Sequence, residues 1–297
     1  MRRCILDPEL LDLGALWGAS MKAILVPVEQ HTGPAVFHTA LTVARMFDSY
    51  IGGLALGPTV PDVIITDVGT LPILNPDSRR EMAQNARQQF EAWMATHSVP
   101  PRPEEPQGLC FGWHGDELVD DDALGCRGRA FDLIVIGRPG SGRDEPRMAT
   151  VESALFDSGR PVLLVPPSAP NAATLGETIV VSWNGSTETA RAVSFAMPFL
   201  LKARRVMVLT VKGATVEGPS GAEIAATLRL HGVAASDLTH EDERRSPGAT
   251  ILAQARELGA DLLVKGAYTQ SRLRQMIFGG PTQHILEHAE LPVLMTH

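Results

Sequence analysis

The sequence predicts an α/β fold of two tandem five-stranded parallel-sheet sandwiches, with helices on both faces of each sheet. Three observations carry that expectation. Short apolar runs alternate with stretches of helical periodicity, the pattern of βαβ units. Three segments recur in the same order: "AILVPVEQHT" (23–32) returns as "TIVVSWNGST" (178–187), "FDLIVIGRPG" (131–140) as "ADLLVKGAYT" (260–269), and "SGRPVLLVPP" (158–167) as "AELPVLMTH" (289–297). The 297 residues are 44% hydrophobic but only 5% aromatic. That is enough apolar material for two aliphatic cores, and it favours α/β layers over a β-sandwich.

Residues 1–20 precede the first strand pattern as an N-terminal extension, readable either as a short amphipathic appendage or as the product of a start codon upstream of Met21. The first domain, 21–168, has expected strands at 23–28, 51–56, 108–113, 132–137 and 161–165. Between its second and third strands, "GPTVPDVIITDVGTLPILNPD" has the Pro and Gly density of a long surface loop. The linker falls in "PPSAPNAATLGE", 166–177. The second domain, 175–297, has expected strands at 178–183, 205–211, 233–239, 261–265 and 292–295, with helices at 187–201, 220–231, 247–258 and 281–289. Runs such as Ile134–Ile136 and Leu262–Val264 are apolar on both faces and therefore belong in central strands. The closing strands "PVLLVP" and "PVLMT" are apolar edges that should pack against each other.

Composition excludes several classes of function. A formal charge of −8 with no sustained basic stretch argues against nucleic acid as a partner, because wrapping phosphates requires clustered Lys and Arg. Cys4, Cys110 and Cys126 form neither a disulfide framework nor a zinc knuckle, which fits a reducing cytoplasm. Asp7, Glu9 and Asp12 interrupt the apolar run that an export signal needs after its arginines. No stretch of 18 apolar residues exists to span a membrane.

Open parallel sheets bind ligands beyond the carboxyl ends of their strands, where strand order reverses. Each half thus has one expected crevice, walled by Val28–His31 with Gly137–Gly140 in the first and by Trp183–Ser186 with Gly266–Thr269 in the second. The ordered motifs "ILVPVEQ", "DLIVIGR", "RPVLLVPP", "VVSWNGS", "GAYTQSRLRQMIFGGPT" and "LPVLM" resemble the universal stress proteins in their tandem form, over residues 21–297. The resemblance implies the universal stress protein type of α/β sandwich, domains paired through their last strands, a homodimer and a role in stress response. In one subclass it also implies ATP held by G-x-x-G, nine residues, then G-S or G-T, with an acidic residue after the first strand contacting adenosine.

On the second half, that pattern sets Gly266 first, Thr269 at the second glycine, and Gly279 and Gly280 after nine intervening residues, while Asn184 takes the acidic position. ATP or AMP is accordingly the expected ligand of the second domain, with no metal cofactor of the protein's own. Trp183, Asn184, Gly185, Val211, Gly266, Thr269, Arg272, Gly279, Gly280 and Thr282 would form its site, with Asn184 at the position that contacts adenosine and the Thr282 hydroxyl and the Arg272 or Arg274 guanidinium able to reach a phosphate. A glycine turn before a helix is suited to holding an anion, since its backbone can approach a phosphate and the helix start offers free N–H groups and a positive dipole end. Thr269 and Pro281 oppose it, the first as a β-branched residue at a glycine position and the second by removing one donor.

On the first half, Glu29 matches the acidic position, but Thr150 and Val151 stand where the later glycines would be, and Asp144 and Glu145 would repel a polyphosphate. That crevice is expected to be degenerate. His284 and His288, one turn apart, read as a helix surface rather than a zinc site, and the acidic run Asp116, Glu117 and Asp120–Asp122 as a solvated helix face. Ser186 reads as a helix cap, not a nucleophile. Three functional readings remain open: a nucleotide-binding stress protein, a nucleotide-independent dimerising scaffold, and a weak phosphate-transferring or hydrolysing enzyme for which no general base can be named.

Overall fold

The computed structural model describes residues 21–29, 32–57, 63–66, 69–72, 76–105, 108–140, 146–169, 175–242, 244–267 and 280–297; the extension 1–20 lies outside them. The first half runs β1 (Ala23–Val28), α1 (Pro34–Phe47), β2 (Tyr50–Ala55), β3 (Val63–Thr66), β4 (Gly69–Pro72), α2 (Pro76–Thr96), β5 (Cys110–Trp113), α3 (Asp121–Gly128), β6 (Leu133–Gly137), α4 (Met148–Asp157) and β7 (Val162–Val165). The second half runs β8 (Thr178–Ser182), α5 (Thr187–Leu200), β9 (Arg205–Val211), α6 (Gly221–Leu230), β10 (Ala235–His240), α7 (Pro247–Glu257), β11 (Leu262–Gly266), α8 (Pro281–His288) and β12 (Val293–Thr296).

Ten strands make one sheet in the order β10-β9-β8-β11-β12-β7-β6-β1-β2-β5. Within each half every pairing in this sheet is parallel. The halves join where β12 meets β7 antiparallel, with Leu294 opposite Leu163. Both "PVLLVP" and "PVLMT" therefore contribute their apolar edges to a single junction, leaving β10 and β5 at the outer margins. Strand order reverses between β1 and β6 and again between β8 and β11, which fixes the two crevices at the carboxyl ends of those pairs.

Alternation along the strands divides the core into two layers. Ile24, Val26, Ile179, Val181, Leu262 and Val264 face one core, while Leu25, Ile134, Ile136, Val180 and Leu263 face the other. The first layer crosses the junction: the rings of Phe47 at the end of α1 and Phe199 in α5 meet edge to face at 5.0 Å. The duplication extends to a paired detail. Asp132 accepts the amides of Lys22 and Ala23 at the start of β1, and Asp261 accepts those of Glu177 and Thr178 at the start of β8.

The long loop expected after β2 needs correction, since it contains the two-stranded antiparallel sheet β3–β4. The run V-I-I-T is wholly β-branched and extends readily once a partner lies two residues away. The Pro and Gly density around it masks that propensity.

Candidate functional site

In the second half, β11 delivers Gly266 to the crevice and α8 begins at Pro281 with Gly280 as its N-cap. Proline is suited to this first helical position, where its missing N–H costs no intrahelical bond. Gly280 is extended (φ −156°, ψ 177°), a conformation open to any residue, and a Cβ there would meet nothing within 4 Å among the described residues. Gly266 is different: a Cβ would fall 2.4 Å from the Thr189 amide nitrogen, so the end of β11 lies flush against the first turn of α5. Its glycine is fixed by that close approach.

Beneath the start of α8 sits Lys265, 5% exposed, a residue that sequence reading missed. Its Nζ donates to the Gly266 carbonyl oxygen at 2.8 Å and to Thr282 Oγ1 at 3.2 Å. Burial lowers its pKa from 10.5 to about 8, so at neutral pH the amine is still mostly a cation, held where the helix dipole is also positive. The signal was present in the sequence: β11 reads L-L-V-K-G with every position buried, and the corresponding position of β6 is Ile136. A lysine inside a strand covered on both faces marks a site.

Trp183, Asn184, Gly185 and Val211 lie at the carboxyl ends of β8 and β9, and the chain itself engages the first three. Trp183 is 3% exposed and its Nε1 donates to the Pro219 carbonyl oxygen at 2.7 Å. Asn184 Oδ1 accepts from the Ser186 amide and the Thr189 hydroxyl, while Ser186 caps α5 by accepting from the Thr189 amide. Gly185 has φ +86°, and the Val216–Gly218 segment lies directly on it: a Cβ on Gly218 would come within 2.4 Å of the Gly185 carbonyl oxygen. The Val216 amide donates to the Asn184 carbonyl oxygen at 2.8 Å. Val211, which ends β9, is buried. Lys265 thus links Gly266 with Thr282 at the start of α8, and Gly266 also lies against Thr189, which bonds Asn184, while Trp183, Gly185 and Val211 sit at the ends of β8 and β9. Thr269, Arg272, Arg274 and Gly279 lie outside the described residues.

The first crevice holds an internal ion cluster. Arg147, the N-cap residue of α4, donates through Nη2 to Asp121 Oδ1 and to the Gly57 carbonyl oxygen, each at 2.9 Å, with Glu29 at 3.8 Å from its Nη1. Two expectations change here. Thr150 and Val151 do not stand open where the later glycines would be. The segment between β6 and α4 is shorter than that between β11 and α8, so α4 begins at Met148 and both side chains turn into the core at 0% exposure, the Thr150 hydroxyl donating to Asp121 Oδ1. Nor is the acidic run a solvated face throughout: Asp120 caps α3 by accepting from the Ala123 amide, and Asp121 is the partly buried hub of the cluster. Asp144 and Glu145 lie outside the described residues.

On α8, His288 Nδ1 lies 2.9 Å from the His284 carbonyl oxygen and the two imidazoles stack at 4.3 Å. Among the described residues no group of three or more His, Cys, Asp or Glu could hold a metal ion, and no helix is long and apolar enough to cross a membrane.

Residues 177–297 match the model of the universal stress protein family. Across nearly the whole chain, the fold is similar to that of a universal stress protein from Archaeoglobus fulgidus DSM 4304, with a TM-score of 0.65 at 16% identity, covering 93% of this chain and 96% of that one. It is also similar to a functionally unknown protein from Pseudomonas aeruginosa PAO1, with a TM-score of 0.53 at 14% identity and coverage of 94% and 93%. No curated protein sequence is significantly similar to the chain.

Proposed function

We propose that the second domain, whose residues 177–297 match the universal stress protein family model within a fold similar to that of a universal stress protein, binds an adenine nucleotide, ATP or AMP, by its phosphates. The observation that carries this reading is the arrangement below the start of α8. A buried amine and the Thr282 hydroxyl meet there, two residues past the N-cap Gly280. Positive charge from Lys265, the helix dipole and the first-turn amides all favour an anion at this point.

The fold's occurrence in two copies does not require two ligands. In the first half, Arg147 already satisfies Asp121 and the Gly57 carbonyl, and Glu29 adds negative charge. The proposal is therefore one nucleotide per chain, with a role in stress response, a cytoplasmic location and a homodimeric assembly. Cell fractionation tests the location and sedimentation the assembly. Titration calorimetry of the full chain with ATP, ADP and AMP tests the binding, and an absence of heat together with an unchanged melting temperature at millimolar nucleotide would remove it.

A second reading has its own observation. The Val216–Gly218 backbone rests on Asn184–Gly185, and the Asn184 side chain braces the first turn of α5, so the adenosine end is engaged by the chain. That favours a scaffold acting through its surfaces without nucleotide. Nucleotide copurifying with the protein would exclude it.

A further inference from the structure

A cavity of about 530 Å³ opens in the first half, away from both crevices, on the face of the sheet that α3 covers. Its volume falls within the usual range for small-molecule sites. Leu25, Leu54 and Phe131 give it an apolar interior, and Tyr50, His114, Arg102 and Arg127 its polar groups.

The duplication shows what sets the lining of this cavity apart from the other half. Ala23 and Thr178 are equivalent, each opening its strand under an aspartate. Counting from them, Gly52 of β2 occupies the position of Met207 in β9, and its partner Gly112 in β5 that of Ser236 in β10. Two side chains present in the second half are thus missing from the first. The space is used by a polar pair. A Cβ on Gly52 would lie 2.8 Å from His114 Nε2, and one on Gly112 only 2.5 Å from the Tyr50 hydroxyl. The glycines form a floor on which Tyr50 and His114 lie close to the sheet, Oη and Nε2 2.8 Å apart.

The cavity's charge comes from its arginines. Burial lowers the His114 pKa, with the Arg127 and Arg102 guanidiniums adding to the effect, and burial raises that of Tyr50, so the pair is neutral near pH 7. The Arg102 guanidinium stands 5.3 Å from the centroid of the Tyr50 ring. Among the described residues neither Arg102 nor Arg127 pairs with a carboxylate, although Arg102 also acts on the Tyr50 hydroxyl.

We propose that this cavity is a second binding site, independent of the nucleotide crevice, for a small aromatic carboxylate. The ring lies against Leu25, Leu54 and Phe131, the carboxylate faces Arg102 and Arg127, and the Tyr50–His114 pair offers a hydrogen bond to a ring substituent. A guanidinium orients a carboxylate through charge-assisted hydrogen bonds, and an aromatic body buries well in a pocket of this lining.

The test uses the full chain and two probes, naphthalene-2-carboxylate and the neutral naphthalene-2-carboxamide. The carboxylate is expected to bind at least about tenfold more tightly than the amide, and the double variant Arg102→Ala/Arg127→Ala, which changes only exposed side chains, should lose that preference. Saturating carboxylate should also slow iodoacetamide alkylation of Cys126, which is exposed and lines the cavity, in contrast to buried Cys110. Gly52→Met, which installs the residue of the second half, should abolish binding; if it does not fold, the arginine variant still decides. Equal affinity for the two probes, unchanged binding in the arginine variant, no protection of Cys126, or no binding at millimolar carboxylate would each overturn the proposal.

Discussion

Replacing Lys265 with Met probes the candidate site through the stability of the fold. Burial takes the amine from 10.5 to about 8, and at roughly 1.4 kcal/mol per pH unit this corresponds to about 3 kcal/mol. The sign follows from proton binding. Between about pH 8 and 10.5 the unfolded chain holds a proton on this lysine that the folded chain has released, so stability contributed by this group rises with pH across that window. Below about pH 8 both states are charged and the folded state bears the full desolvation cost. Met is of similar length and carries no charge. Its introduction forfeits the donor to Gly266 and Thr282, at about 1 kcal/mol for each hydrogen bond. The variant should therefore be about 1 kcal/mol more stable than wild type near pH 7. Wild type should then gain about 3 kcal/mol on the variant as pH rises through the window. Urea unfolding followed by tryptophan fluorescence, run on both proteins at several pH values, reads the difference and cancels other groups that titrate there. Curves that stay parallel from neutral to strongly alkaline pH would refute the reasoning, because they would mean that the amine is hydrated in the folded protein.

Other consequences follow from the same contacts. A phosphate beside Lys265 restores its proton, so nucleotide binding near pH 8 should be accompanied by proton uptake, seen as a binding heat that changes with the ionisation enthalpy of the buffer. Asp121→Asn leaves Arg147 without its closest carboxylate and should destabilise the first half by about 1–3 kcal/mol, with nucleotide affinity unchanged; urea unfolding and calorimetry check the two parts. Gly266→Ala drives a methyl group into the backbone of α5 and should cost about 1–3 kcal/mol or more, read as a fall in the urea midpoint.

Much of the fold was legible because the chain states it twice. Each strand of the large sheet in one half has a counterpart in the other, and fully apolar runs such as Leu262–Val264 can only be central. The join through β7 and β12 was visible as two apolar closing strands. Local propensity is harder to read where breakers surround it: the β-branched run of β3 sits among Pro and Gly, whose density reads as a loop. Motif spacing carried the position of α8, whose Gly280-Pro281 start is a local helix signal. The same spacing failed for α4, because a shorter connection sets Arg147 rather than Thr150 at the entrance. The cluster of Arg147, Asp121 and Glu29 joins residues up to more than a hundred positions apart, and no single motif contains it. Lys265 was legible in principle, as the one charge in a strand buried at every position. Glycine spacing alone does not point to it. The loop covering Gly185 is likewise a tertiary event, recorded in sequence only by the glycines at 185 and 218 that permit the contact.

The most direct test of a phosphate-binding second domain is calorimetric titration of the intact chain with ATP, with the stoichiometry read from the inflection. The account predicts one nucleotide per chain, with affinity about tenfold weaker in Lys265→Met. No heat at millimolar nucleotide, or two nucleotides per chain, would contradict it.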